Sequence, residues 1–284
     1  MGHRSETVLR FSLETFRIIS NSRTFLNELE SVFDSEVVQK ANNSLDHETV
    51  IVVIKNLSGN YLVYSNGLTI LRDSPNEARY IVMRIISDSF VRHISSQHFV
   101  MHAATAVFHS RAVVLSGNSG SGKTSLALEF SQFEGLAGDE CGHINLRTGA
   151  IRYEPFPFQL KHPNIDLLNN FKDAQRIDVY DKSIGAASYF ALSATKRSAQ
   201  TERPIQAIIF PVYKPQAQTS INRLSSNQYA PLILGSLIGP YQPAANLSAF
   251  MSMCSERRIR FMRMSYSNVR QGAAMLYDAL TEME

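Results

Sequence analysis

In the stretch VVLSGNSGSGKTSLALEF, Val113 to Phe130, three of the chain's 14 glycines fall within six residues, at Gly117, Gly120 and Gly122, with Lys123-Thr124 directly behind them. Before them, Ala112 to Leu115 is a short, valine-rich apolar run that suits a strand buried on both faces. After them, Leu126, Ala127, Leu128 and Phe130 recur near helical spacing, so a helix begins at Lys123. Glycines in this position can turn the chain sharply and gather several backbone N–H groups into one concavity. The helix N-terminus adds unpaired donors and the positive end of its dipole at the same place. The result is a cradle for an anion of phosphate size. Gly117, Gly122, Lys123 and Thr124 match G-x-x-x-x-G-K-[ST], in which the lysine reaches the β- and γ-phosphates and the hydroxyl ligates Mg²⁺. The loop Gly117, Asn118, Ser119, Gly120, Ser121, Gly122, Lys123, Thr124, with Ser125 behind it, is therefore expected to bind ATP with Mg²⁺.

A P-loop needs an acidic partner at the end of a neighbouring strand to hold the metal or its water. Asp139 and Glu140 follow Thr124 after 15 residues, room for one helix and a turn. They are expected on the strand that the P-loop helix reaches directly, with Thr124, Asp139 and Glu140 as the candidate metal-side oxygens. A carboxylate there can also orient an alcohol and accept its proton late in phosphoryl transfer. His102, on the strand before the P-loop strand, could hydrogen-bond a phosphoryl group or be a core histidine. Lys161 could touch phosphate or water, and Lys196, Arg197 and Arg203 belong to a polar stretch, SATKRSAQTER, that reads as a solvated loop. His93, His98, His109, His143 and His162 show no metal-ligand spacing.

The elements that must position these groups follow from pattern. Phe16 to Ile19 reads as a strand, and Phe25, Leu26, Leu29, Val32 and Phe33 as one face of a helix. Thr49 to Lys55, Asn60 to Tyr64 and Leu68 to Leu71 are β-rich runs. Asn66-Gly67 between the last two is a type I′ hairpin signal. Ser74-Pro75-Asn76-Glu77 supplies a helix N-cap, a proline in the first turn and a glutamate that can close a capping box. Phe99 to Val107 and Ala112 to Leu115 are expected as two strands joined at His109-Ser110-Arg111, and His143 to Tyr153 as a hairpin with Arg147-Thr148-Gly149 at its tip. Further on, the pattern predicts strands at Ile205 to Val212, Ser220 to Leu224 and Arg258 to Met264. Helices are expected near 226–238, 244–255 and 267–282.

FVMHAATAVFHSRAVVLSGNSGSGKTSLALEFSQFEGLAGDECGHI, from Phe99 to Ile144, resembles the core of the HPr kinase/phosphorylase family, itself related to ATP-dependent phosphoenolpyruvate carboxykinases. RYEPFPFQLK, from Arg152 to Lys161, resembles the proline-rich segment that follows in that family. The leader looks like that of HPr-kinase-related peptide-tailoring kinases, including lasso-peptide kinases. The resemblance implies an α/β P-loop kinase core of this type at 98–284, preceded by a small α+β unit at 1–97. It implies that Lys123 and Thr124 hold phosphate and metal, that His102 stands near the reacting phosphate, and that Asp139 or Glu140 takes the acceptor proton while its neighbour serves the metal, the family's order putting the acid nearer the strand body, Asp139, on the acceptor. Two positions depart from the family: the acids are Asp-Glu where it has Asp-Asp, and Ser125 stands where it has Glu.

Three readings of function stay open on the residues. The first is a kinase acting on a Ser or Thr hydroxyl of a ribosomally made precursor peptide or small protein. The others are a small-molecule kinase and a nucleotide-binding regulatory protein without transfer chemistry. With 284 residues, 44% of them hydrophobic and 19% charged, the chain can bury a sizeable core. A net charge of +3 without any Lys/Arg run argues against nucleic acid as a partner. No apolar stretch reaches membrane-spanning length, and Cys141 and Cys254 lack metal-ligand spacing, so a cytoplasmic protein with reduced thiols is expected. A monomer or dimer is expected in place of the rings formed by authentic HPr kinases.

Overall fold

The computed structural model describes all residues except 1–3, 12–13, 34–36, 40–47, 96–97, 134, 140–141, 153–155, 162–163, 172–173, 193–201, 239–243 and 284. It is a mixed α/β structure with two compact units. One comprises Met1–His93 and Pro155–Ser193, the other Ile94–Glu154 and Ala194–Glu284. In chain order the first strands and helices are β1 (Ser5–Arg10), β2 (Thr15–Ser20), α1 (Arg23–Glu30), β3 (Val38–Gln39), β4 (Glu48–Lys55), β5 (Tyr61–Ser65), β6 (Leu68–Arg72) and α2 (Pro75–Ile94). Next come β7 (Phe99–Met101), β8 (Ala103–Phe108), β9 (Arg111–Ser116), α3 (Lys123–Phe130), β10 (Gly135–Gly138), β11 (Gly142–Asn145) and β12 (Ala150–Arg152). Then β13 (Phe158–Lys161), β14 (Gln175–Asp181) and β15 (Gly185–Ala191) lead to β16 (Arg203–Tyr213) and β17 (Ser220–Arg223). The chain closes with α4 (Ser226–Leu234), α5 (Ala244–Glu256), β18 (Arg260–Tyr266) and α6 (Val269–Thr281).

The first unit holds a six-stranded sheet in the order β3-β1-β2-β4-β5-β6. Its β5–β6 turn carries Asn66 at φ 48° and Gly67 at φ 80°, the doubly left-handed geometry of a type I′ hairpin. At the start of α2 the Ser74 hydroxyl accepts from the Glu77 N–H at 3.2 Å, and the Glu77 carboxylate accepts from the Asp73 N–H at 3.2 Å. These reciprocal bonds satisfy donors that the helix start would otherwise leave open. A three-stranded sheet, β13-β15-β14, belongs to the same unit, where Phe156 stacks on Phe11 at 4.6 Å and meets Phe90 edge-on at 5.0 Å. The sequence pattern predicts one domain over 98–284. In the structure 155–193 groups instead with the N-terminal residues, because its strands bond to one another and its aromatic lead-in packs on Phe11 and Phe90.

The second unit is built on a nine-stranded sheet running β10-β8-β9-β16-β12-β11-β7, with β18 alongside β16 and β17 alongside β18. β9, β16 and β18 are parallel neighbours. All six residues of β8 and five of the six in β9 are buried, as in strands covered on both faces. The β8–β9 turn places His109 at φ 43° and Ser110 at φ 68°, again a tight hairpin. α3 and α6 are joined by the rings of Phe130 and Tyr277, both of which meet Phe108 of β8, with Phe133 just beyond α3 also against Tyr277, and by Arg270–Glu129 at 3.4 Å. The single strand expected over 99–107 is broken at His102, whose N–H donates to the Ser236 carbonyl at 2.8 Å and so leaves the ladder. β7 continues instead beside β11. Among the described residues no helix is long and apolar enough to cross a membrane.

His98 and His143 meet edge to face at 5.3 Å, with His143 fully buried. Burial lowers the His98 pKa, the nearby His143 and Arg152 lower it further, and Glu202 opposes them. The unfolded chain therefore takes up this proton more readily than the folded one, so folding stability is full above the ordinary value of 6.5 and falls as pH drops below it. Denaturant midpoints are expected to fall between pH 7.5 and 5.5, and His98→Gln is expected to flatten that dependence. An unchanged slope in the variant removes His98 from the account. The Cys254 thiol is buried and pushed up to about 12, so it is expected to be inert towards alkylating reagents in the native state.

Candidate active site

Gly117 to Gly122 connect β9 to α3 at the carboxyl end of the parallel strands, where open α/β sheets place their ligand crevice. The loop needs its glycines. Gly120 and Gly122 sit at φ 83° and 93°, and a Cβ at Gly122 would run into the Tyr266 hydroxyl. That hydroxyl donates to the Gly122 carbonyl at 3.0 Å, tying the helix cap to the end of β18. Burial, with Tyr213 beside it, raises the Tyr266 phenol above its usual range, so it stays a donor. β16 also braces the loop, through the Tyr213 N–H bonded to the Ser121 carbonyl at 3.1 Å. Within the loop the Ser121 N–H bonds to the Asn118 carbonyl at 3.1 Å.

Gly122→Ala is expected to destabilise the fold by about 1–3 kcal/mol, since a left-handed site and a contact with buried tyrosine are both violated. Adding Tyr266→Phe removes the obstructing oxygen and should recover part of that loss. Purely additive effects in the denaturation cycle would rule out the contact as the cause.

Lys123, almost wholly buried, turns its ammonium into the loop and donates to the carbonyls of Gly117 at 2.8 Å and Asn118 at 3.1 Å. Thr124, in the first turn of α3, has its hydroxyl at 3.1 and 3.0 Å from the two carboxylate oxygens of Asp139. Asp139 is itself buried, at 3% exposure. It reaches Thr124 because α3 leads directly into β10, which pairs antiparallel to β8 and so runs in the direction of β9. The β8–β10 register shifts between Leu136 and Gly138, a bulge that bends the strand one residue before the acid.

His102 lies one residue beyond the Ala103–Ser116 pair of the β8–β9 ladder, level with Gly117, and its carbonyl accepts from the Ser116 hydroxyl at 3.3 Å. Lys123, Thr124, Asp139 and the backbone of His102 are thus gathered at one end of one sheet. Glu140 lies outside the described residues, as do Lys196 and Arg197. Lys161 pairs opposite Ala187 in β13, in the unit other than the one that carries the loop. Arg203 donates to the Ser110 carbonyl at 3.2 Å, at the end of β9 away from the P-loop. Tyr213 and Tyr266 were not anticipated from sequence. The only signal was an aromatic residue closing each of two apolar runs, and neither run announces that it will lie beside β9.

A Mg²⁺ ion suits what is present: a threonine hydroxyl in hydrogen-bond contact with a buried carboxylate offers two hard oxygen ligands, with the remaining positions left to phosphate and water. No protein-family model and no curated protein matches the chain.

Proposed function

We propose that this chain is an ATP- and Mg²⁺-dependent phosphotransferase with an HPr-kinase-like P-loop core, acting on a Ser or Thr hydroxyl of a peptide or small protein in the cytoplasm. The observation that carries the proposal is the Thr124–Asp139 contact beside Lys123 at the carboxyl end of β9. A glycine turn alone does not require a buried acid facing the first helical hydroxyl, whereas a triphosphate site does. The metal, when bound, neutralises and aligns the phosphate charge. Thr124 and Asp139 are the residues that would hold it, and the Lys123 ammonium would exchange its two loop carbonyls for phosphate oxygens. Backbone N–H groups of the loop and the α3 N-terminus would bind the same phosphates.

Having both Asp139 oxygens on the Thr124 hydroxyl favours Asp139 as the metal-side acid. That reverses the order expected from the family resemblance and leaves the acceptor proton to Glu140. The peptide acceptor rests on the resemblance of the leader and the core. It is tested by incubating the protein with γ-labelled ATP, Mg²⁺ and synthetic peptides ending in serine or threonine. Label recovered as a phosphomonoester on the hydroxyl supports the reading. Label found only on small alcohols moves it to a small-molecule kinase, and nucleotide bound without any transfer makes the chain a regulatory binding protein.

A further inference from the structure

The seat of the phosphates fixes the direction in which the rest of a nucleotide must leave. Thr124 and Asp139 meet on the β10 side of β9, which assigns the metal and the terminal phosphates to that flank. The sugar and base then lead towards the opposite flank, over the carboxyl ends of β16 and β18. There β16 outruns its neighbour. Its parallel pairing with β9 ends at Ile209 opposite Leu115, and the following residues run on beside the loop. The Pro211 carbonyl lies 3.9 Å from where a Cβ on Gly117 would sit, and the Tyr213 Cβ 3.5 Å from the same point on Gly122.

Tyr213 is the residue this arrangement presents. Its N–H is bonded to Ser121, and the following Lys214 N–H donates to the Tyr266 carbonyl at 2.9 Å, so its backbone is pinned on both sides. Its ring stands edge-on to Tyr266, centroids 5.9 Å apart at 67°. Tyr266 is 1% exposed, yet Tyr213 is 50% exposed. A fixed aromatic ring, half open to solvent and beside a phosphate cradle, offers a base a π-face at little cost in side-chain ordering. We propose that Tyr213 is the platform on which the nucleotide base stacks. This rests on the triphosphate reading of the loop. A stack of this kind is tolerant of base identity, because every base has a π-face, so modest discrimination between ATP and GTP is expected.

The test compares two ligands by calorimetry in Mg²⁺: a non-hydrolysable ATP analogue, and inorganic tripolyphosphate, which has the phosphates without the base. Tyr213→Ala and Tyr213→Leu are expected to weaken the analogue by about ten- to a hundredfold, the range that base–aromatic stacking covers. Tripolyphosphate affinity is expected to be unchanged in both variants. Tyr213→Phe, which keeps the ring, is expected to restore analogue binding. Equal losses for both ligands would show that Tyr213 only braces the loop, and unchanged affinity for the analogue would show that the base lies elsewhere; either overturns the proposal. Wild-type protein that binds tripolyphosphate as tightly as the analogue overturns it too, while leaving the loop reading intact. Wild-type protein that binds neither ends both.

Discussion

Lys123→Ala is expected to cut phosphoryl transfer by about 10²- to 10³-fold while the protein stays folded. Lys123 is the one side-chain cation that the P-loop motif guarantees, and it is almost fully buried with its ammonium on two loop carbonyls. Removing a preorganised charge-stabilising group from a desolvated site commonly costs about 10²- to 10³-fold in rate. Lys123→Arg should fare little better, since a planar guanidinium is wider than an ammonium and carries its donors in a fixed fork. The fold should survive because β9 and α3 are held by their own ladders and by the Phe130–Tyr277 contacts, none of which involves the ammonium. Labelled-phosphate transfer and a denaturation curve, measured on the same preparation, check both halves. Undiminished transfer in the alanine variant would end the phosphotransferase assignment.

Asp139→Asn is the second large effect. With both oxygens of Asp139 on the Thr124 hydroxyl, the variant keeps the shape and one acceptor but loses the charge that would face the metal. Transfer is expected to fall by about 10²-fold or more, on the scale of losing one preorganised electrostatic group, with the Mg²⁺ dependence moved to higher concentration and activity partly recovered there. Glu140→Gln should instead depress transfer at every Mg²⁺ concentration, by about 10²- to 10⁴-fold if the group removed is the general base. If Asp139→Asn stays inactive at saturating Mg²⁺ with nucleotide binding intact, and Glu140→Gln is rescued by metal, the roles revert to the order implied by the family resemblance.

What could be read from the residues was whatever short-range patterning specifies. The buried run before Gly117, the helix from Lys123, the Asn66-Gly67 hairpin and the Ser74–Glu77 cap each depend on contacts within a few residues, and each stands in the structure. The 15-residue interval from Thr124 to Asp139 was informative for the same reason, since only one helix and a turn fit inside it. The break at His102 was not legible, because it depends on a carbonyl at Ser236. Nor was the regrouping of 155–193, whose strands β14 and β15 were not anticipated, and β1 was passed over within a polar N-terminal stretch. The placement of Tyr213 and Tyr266 around the loop was hidden too. Parallel pairing of β16 with β9 and β18 leaves no mark on any one strand beyond apolarity.

The bond from Tyr266 to Gly122 closes a span of 144 residues, and it has a consequence for how the protein is made. A nascent chain that has just released its glycine loop from the ribosome has neither β16 nor β18 to lay against it, and the strands 155–193 must be synthesised before either arrives. Contacts this distant in sequence form late, after the entropy of closing long loops has been met. The braced glycine loop is therefore among the last parts of the second unit to take shape, and β9 waits as an apolar strand lacking one of its two neighbours. Until β16 and β18 have been synthesised, that half-built sheet exposes hydrophobic strands that are prone to mispair.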